Sequence, residues 1–438
     1  MGSTSPQRSI AVAVLAATML VSACSTAAQP RWNSPAAPGT RDAARMFAPE
    51  GVNGVMRFAY ATEVPFVPPR VKLRPCCAFG AQLQVRVGPV PIPWYFMGNI
   101  VDPDLMDDHV YDNGLATLGS RGDELSLVHS EGNGLVYTCR GGFLDIAHVR
   151  DYADTTLYLA TLIARDLEKG GEFPLPEEGG KLSFRLQPLP SRLVAQEGRW
   201  AVAVPLAQWL SQQVSIWHEI ATYFGWSTFT LFPEEVSAFS PEDLYSNLLG
   251  ARIAAAVLSR NGARDEFAYN RNVDTWIDEV LLLLRAVPKE TAEEAMLAVD
   301  GLWWDSTKRL PDRDLVIRRN FDDSRSLMPW LIPPSRVGPK LRAACGDDPR
   351  PMPLANPASS EGLEFSKYVT FVVEVPEEMA AKEPFATIGP RITQKDFPRL
   401  LAWLREENTR RYGANADRPN GDAPAARPAA PAEAQPGG

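Results

Sequence analysis

Through the middle of the chain, apolar residues return every three to four positions, the spacing that lines one face of an α-helix. The pattern predicts helices over about 143–169, 200–224, 241–259, 273–287 and 289–300. Ser240-Pro-Glu-Asp243 supplies a start for the third of them, with serine at the cap, proline in the first turn and acids behind it. Strand-like runs are shorter: Leu83, Val85 and Val87 in alternation, Leu135 to Cys139, and Tyr368 to Val375. The expected fold class is α+β, a mainly helical core with a few short strands near the N- and C-terminal parts of one globular domain over residues 51–412.

Both ends break this pattern. Arg8 leads into an apolar run over 10–23 that is too short for a stable membrane span but suits the core of a signal peptide, expected over residues 1–23. Its close, Leu20-Val-Ser-Ala-Cys24, resembles the lipobox of bacterial lipoproteins, in which the cysteine is acylated and becomes the new N-terminus. Two or more acyl chains, at about 0.8 kcal/mol per buried methylene, make an anchor that does not readily leave the bilayer. Ser25 resembles the residue that directs such proteins to the outer membrane. The expectation is a lipid-anchored cell-envelope protein facing the periplasm, with the bilayer as partner through Cys24. Residues 24–50 read as a flexible tether and 413–438 as a disordered Pro/Ala-rich tail.

Composition narrows the partners. The chain has a net charge of −9 and no basic stripe, so nucleic acid is excluded as a partner. An envelope small molecule, glycan or peptide remains. The 39 prolines, a share nearly twice the average, cluster as in Pro65-Phe-Val-Pro-Pro69 and mark stiff connections.

Once Cys24 is set aside, Cys76, Cys77, Cys139 and Cys345 are left in an oxidising compartment, where pairing is the default. A bond between adjacent Cys76 and Cys77 would be strained, which favours one of them reaching Cys139.

Two of the expected helices carry the groups capable of chemistry. In the first, Asp145, His148, Asp151 and Asp154 recur every three residues, opposite Ile146, Val149, Ala153 and Leu157. In the second, Gln212, Ser215, His218, Glu219 and Thr222 face away from Leu206, Leu210, Trp217 and Ile220. If these polar faces point inward, His148, Asp151 and His218 form a zinc ligand set, with Glu219 and Asp145 as the catalytic carboxylates of a metal-dependent hydrolase. His218-Glu-Ile-Ala-Thr222 begins like the zincin motif, but Thr222 stands where its second histidine belongs. The plain alternative is two solvated faces with local hydrogen bonds between histidine and aspartate. His109 and His129 read as structural or exposed.

Two rival functions stand beside the metal. Tyr137-Thr-Cys-Arg-Gly-Gly142 leads a strand into a helix, where Cys139 would serve as the thiolate of a cysteine amidohydrolase with His148 or His218 as base; disulfide formation argues against it. A non-catalytic ligand-binding or structural lipoprotein would use Trp217, Trp226, Tyr223 and Tyr152 as apolar walls. The serine-hydrolase elbow, the P-loop and the zinc-ribbon cysteine pairs are absent. The strings Leu73-Arg-Pro-Cys-Cys-Ala-Phe-Gly80, Asp145-Ile-Ala-His-Val-Arg-Asp-Tyr-Ala-Asp154, Trp217-His-Glu-Ile-Ala-Thr222 and Phe239-Ser-Pro-Glu-Asp-Leu-Tyr-Ser-Asn247 resemble an uncharacterised bacterial lipoprotein family, the domain of unknown function DUF4056. The resemblance implies export and lipidation and brings no catalytic residues with it.

Overall fold

The computed structural model describes residues 38–47, 73–87, 90–111, 131–228, 233–347, 349–360 and 363–419. Along them run α1 (Thr40–Phe47), β1 (Leu83–Val87), β2 (Val90–Met97), β3 (Leu135–Thr138), β4 (Gly142–Asp145), α2 (Ile146–Asp166), β5 (Gly171–Pro174) and β6 (Lys181–Leu186). Then follow α3 (Arg199–Tyr223), α4 (Asp243–Ser259), α5 (Glu266–Leu284), α6 (Lys289–Ala298), β7 (Val369–Glu374), β8 (Arg391–Thr393) and α7 (Phe397–Tyr412), with shorter turns and strand pairs between. The fold is mixed α+β, with small antiparallel sheets, as expected.

Helix α2 packs against both α3 and α4, and this sandwich is the centre of the core. Every residue from Ile146 to Ala160 is buried, so His148, Arg150, Asp151 and Asp154 cannot form a solvated face. Close approach of α4 depends on Gly250, because a Cβ there would collide with the Val149 carbonyl of α2. The four-stranded sheet runs β8-β7-β6-β5, and register places Phe184 between Phe371 and Phe173. The Phe173 and Phe184 rings stack with centroids 4.8 Å apart.

Several expected boundaries move. The first predicted helix loses its opening residues to β4, which pairs with β3 as a hairpin. Its Gly142, at φ +67°, lies against the Trp330 carbonyl where no side chain fits. Helix α5 begins at Glu266 rather than near 273, because Asp265 caps it by accepting the Ala268 N–H. Within the expected tether, residues 40–47 form α1 and pack on α5, burying Ala43, Met46 and Phe47. Its Asp42 pairs with Arg260 at 2.6 Å. Within the expected tail, the chain stays packed to residue 419: the Trp303 indole N–H donates to the Pro419 carbonyl, and Arg318 donates to the carbonyls of Asn415 and Arg418.

The cysteine pairing is corrected. Cys139 bonds to Cys345, with Cα atoms 5.2 Å apart, while Cys76 and Cys77 keep free thiols. Local contacts bring the pair together: the Cys139 N–H donates to the Arg285 carbonyl, and the Arg285 guanidinium donates to the Ala344 carbonyl. A bonded Cys139 offers no thiolate, which removes the amidohydrolase built on it. Among the described residues no helix is long and apolar enough to cross a membrane. The expected signal peptide, Cys24 and His129 lie outside the described residues.

Candidate metal centre

Three segments distant in sequence meet at one point. His148 stands on the first turn of α2, directly after Asp145, whose carboxylate caps the helix by accepting the N–H groups of Ala147 (2.8 Å) and His148 (3.4 Å). Asp145 also accepts the Cys77 N–H at 3.2 Å, which draws the 73–78 segment onto the helix start. His218 comes from the C-terminal part of α3, which is buried on all sides from Val202 to Tyr223. The Cys76 sulfur lies 3.2 Å from His218 Nε2 and 3.4 Å from His148 Nε2. The two imidazole centroids are 5.9 Å apart with their planes nearly perpendicular.

These three donor atoms all lie within 4.8 Å of one another. A tetrahedral zinc site with bonds of about 2.3 Å to sulfur and about 2.0–2.1 Å to nitrogen has sulfur–nitrogen edges of about 3.5 Å. Both sulfur–nitrogen distances in the Cys76, His148 and His218 set are therefore close to the edges such an ion requires. Carboxylates stand behind the rings: Glu178 at Nδ1 of His218, and Asp243 (3.3 Å) and Asp145 (3.8 Å) at Nδ1 of His148. Carboxylates in this position orient ligating imidazoles and raise their basicity. Glu178 is itself held by the β5–β6 turn, where its carbonyl accepts the Trp217 indole N–H at 2.7 Å.

Electrostatics fit the same picture. Burial pushes the Cys76 thiol up, with Glu234 adding to the shift and both imidazoles opposing it. Burial alone would lower His148 and His218, but Asp145 and Cys76 for the first, and Cys76 and Glu178 for the second, hold both well above the ordinary histidine value. The thiol and the two rings are thus a mutually stabilising set in which a cation can replace protons.

A second buried cluster fixes the Cys76 segment in place. Each guanidinium nitrogen of Arg74 finds an acceptor: Nε meets Glu131 (2.5 Å), Nη1 meets Asp151 (2.7 Å) and Asp154 (3.2 Å), and Nη2 meets Glu131 (2.8 Å) and the Val110 carbonyl (3.0 Å). The Arg74 N–H also donates to Asp151. His109 joins through Asp154 at 2.9 Å. Burial opposes the Arg74 charge, but Glu131, Asp151 and Asp154 outweigh it and hold the guanidinium well above its ordinary value.

The expected site residues divide accordingly. His148 and His218 come together. Asp151 turns to Arg74, and Cys76 takes the third position. Glu219 lies beside His148 and Asp243, but its oxygens accept the Phe239 N–H (2.8 Å) and the Asn247 amide (3.3 Å). Asp145 serves as cap and backbone acceptor. Trp217, Tyr152 and Tyr223 are buried, while Trp226 stands beside His218 with ring centroids 5.6 Å apart. The sequence reading passed over Cys76 as a ligand, together with Glu178, Glu234, Glu242 and Asp243. The adjacent cysteines that cannot comfortably bond each other were the one available signal for Cys76; Glu242 and Asp243 read as ordinary acids of a helix start.

The model for a family described as a protein of unknown function, DUF4056, matches residues 64–333, a span that includes every residue of the centre. No curated protein and no solved structure matches the chain.

Proposed function

The chain belongs to the DUF4056 family, which carries no assigned activity, and from its centre we propose that it is a metal-dependent, zinc-type hydrolase of the cell envelope, anchored through an acylated Cys24. One observation carries the reading: a sulfur at tetrahedral-edge distance from each of two imidazole nitrogens, with a carboxylate behind each ring. Cys76, His148 and His218 would hold the ion. A thiol nucleophile needs one imidazole as base, whereas here two converge on the same sulfur, which favours the metal.

A zinc ion so held supplies Lewis acidity and lowers the pKa of a bound water toward neutrality. Glu178 orients His218, and the Arg74 clamp sets Cys76 opposite both rings. Glu234 is the nearby carboxylate suited to take a proton, because its Oε2 accepts the Thr228 N–H while its buried Oε1 has no hydrogen-bond partner. Burial pushes Glu234 up, against the Thr228 N–H and, more weakly, the two imidazoles. Asp145, tied to three backbone N–H groups, acts as a support, and Glu219 is no ligand of this ion.

Metal analysis of the full chain purified in detergent tests the reading. Zinc is expected in the wild-type protein and absent from Cys76→Ser, with the circular dichroism spectrum unchanged. Hydrolysis of an envelope-derived ester, amide or glycan should stop on chelation and return with zinc. Equal metal content in both proteins, or activity that resists chelation but is abolished by alkylating Cys76, overturns it.

A further inference from the structure

On the side of His148 away from Cys76, four carboxylates collect. Asp145 ends β4, Glu219 lies on α3, and Glu242 and Asp243 open α4; each is no more than 2% exposed. Among the described residues no arginine or lysine lies within ion-pair distance of any of them, in contrast to Asp151 and Asp154 along the same helix. Burying several like charges without a cation is costly, so such a group calls for protons or a metal.

The hydrogen bonds distinguish oxygens already engaged from oxygens still open. Asp145 accepts three backbone N–H groups, and Glu219 accepts the Phe239 N–H and the Asn247 amide. Asp243 Oδ2 accepts the Ser240 N–H at 2.5 Å. Left over are Asp243 Oδ1 and both oxygens of Glu242, all buried without a hydrogen-bond partner. Nδ1 of His148 is also without one, although it lies 3.3 Å from Asp243 Oδ1. Two donor atoms at that separation, not aligned as a hydrogen bond, have the spacing of one edge of a coordination shell with bonds of about 2.0–2.2 Å. One oxygen each of Glu219 and Asp243 and a ring nitrogen of His148 lie within 4.8 Å of one another.

We propose that Glu219, Asp243 and Nδ1 of His148 hold a second divalent cation, with Glu242, next to Asp243 in the chain and with both oxygens open, as a further donor, so that His148 bridges two ions through its two ring nitrogens. The proposal rests on the first centre only through the shared histidine. The two donor sets differ in kind. Cys76 with two imidazoles suits zinc, whereas three carboxylates with one imidazole suit a harder ion such as Mn²⁺. Binding at Nδ1 displaces the ring proton, which leaves to solvent. Two ions sharing one ligand would place positive charge on both faces of His148 and neutralise the carboxylates behind it.

Metal-stripped full-length protein titrated with Zn²⁺ and then Mn²⁺ tests this, read by elemental analysis and by the Mn²⁺ electron paramagnetic resonance signal. Wild type should take up one equivalent of each. Cys76→Ser should lose zinc and keep Mn²⁺; Asp243→Asn should keep zinc and lose Mn²⁺. Glu242→Gln, the gentler change, should weaken Mn²⁺ by tenfold or more with the fold intact by circular dichroism. Zinc uptake without Mn²⁺ uptake in wild type, or Mn²⁺ affinity equal in wild type and Glu242→Gln, overturns the second site and leaves the first standing. Loss of zinc uptake alone, with Mn²⁺ retained, overturns the first and supports the second.

Discussion

Two buried polar clusters lie about one helical turn apart on α2, and they differ in how completely their charges are answered. Around Arg74 each guanidinium nitrogen meets an acceptor, and three carboxylates surround one cation. Around His148 there are four carboxylates, free thiols and imidazoles, with both Glu242 oxygens and Asp243 Oδ1 left without a hydrogen-bond donor. A closed ion network fixes a backbone segment; a set of buried donors still short of hydrogen-bond partners leaves room for a ligand. The first holds the Cys76 segment in place beside the second.

The most severe way to break this distinction is Arg74→Met. Three carboxylates would stay buried without their cation, and loss of one partner from a buried ionic cluster costs about 3–5 kcal/mol. Urea unfolding should detect that loss; a change under about 1 kcal/mol would mean that the cluster is not structural. Next comes the disulfide, which closes a sequence separation of 206 residues. Replacing Cys139 and Cys345 by alanine should lower stability by roughly 2–5 kcal/mol while metal content stays at the wild-type level, since the bond lies outside the centre. Metal loss in that variant would tie the two together.

Acid gives a smaller effect and isolates the closed cluster. Burial would raise the Glu131 carboxyl, but Arg74 dominates and holds it well below the usual carboxylate range. A folded-state value below the unfolded one, about 4.3, contributes stability that is full above that pH and is lost as pH falls through the folded value. The urea midpoint should therefore fall steadily below about pH 4, and Glu131→Gln should flatten that slope while starting from a lower midpoint. An unchanged slope in the variant would assign acid sensitivity elsewhere. The smallest effect has the opposite sign. In metal-free protein, Glu242→Gln replaces a buried unpaired carboxylate by a neutral amide and should stabilise the fold by about 1 kcal/mol. Destabilisation on the scale of Arg74→Met would erase the contrast between the clusters.

Much of this was readable before the fold was known. Periodicity located α2, α3 and α4 to within a few residues and set His148 and His218 on polar faces, whose rings do meet. It could not say that those faces are interior, because a three-residue recurrence of acids and histidine looks the same on a solvated helix and on one buried all round. Asp151 illustrates the gap. At about 100° per residue it is turned some 60° from His148, enough to point at either of two neighbours, and Arg74, 77 residues away, decides which. Cys76 had no local signature beyond its adjacent cysteine, since its partners lie 72 and 142 residues downstream.

By itself, the sequence determined the mixed α+β fold and the two histidines around which chemistry could be sought. The tertiary structure decided that Cys139 bonds to Cys345, that Cys76 takes the place expected of Asp151, and that Glu242 and Asp243 are buried acids rather than a solvated helix start. Helix formation follows from residues three or four positions apart, which a sequence displays directly. The chemistry of a buried donor depends on which distant charges and N–H groups share its pocket, and only the folded chain brings those together.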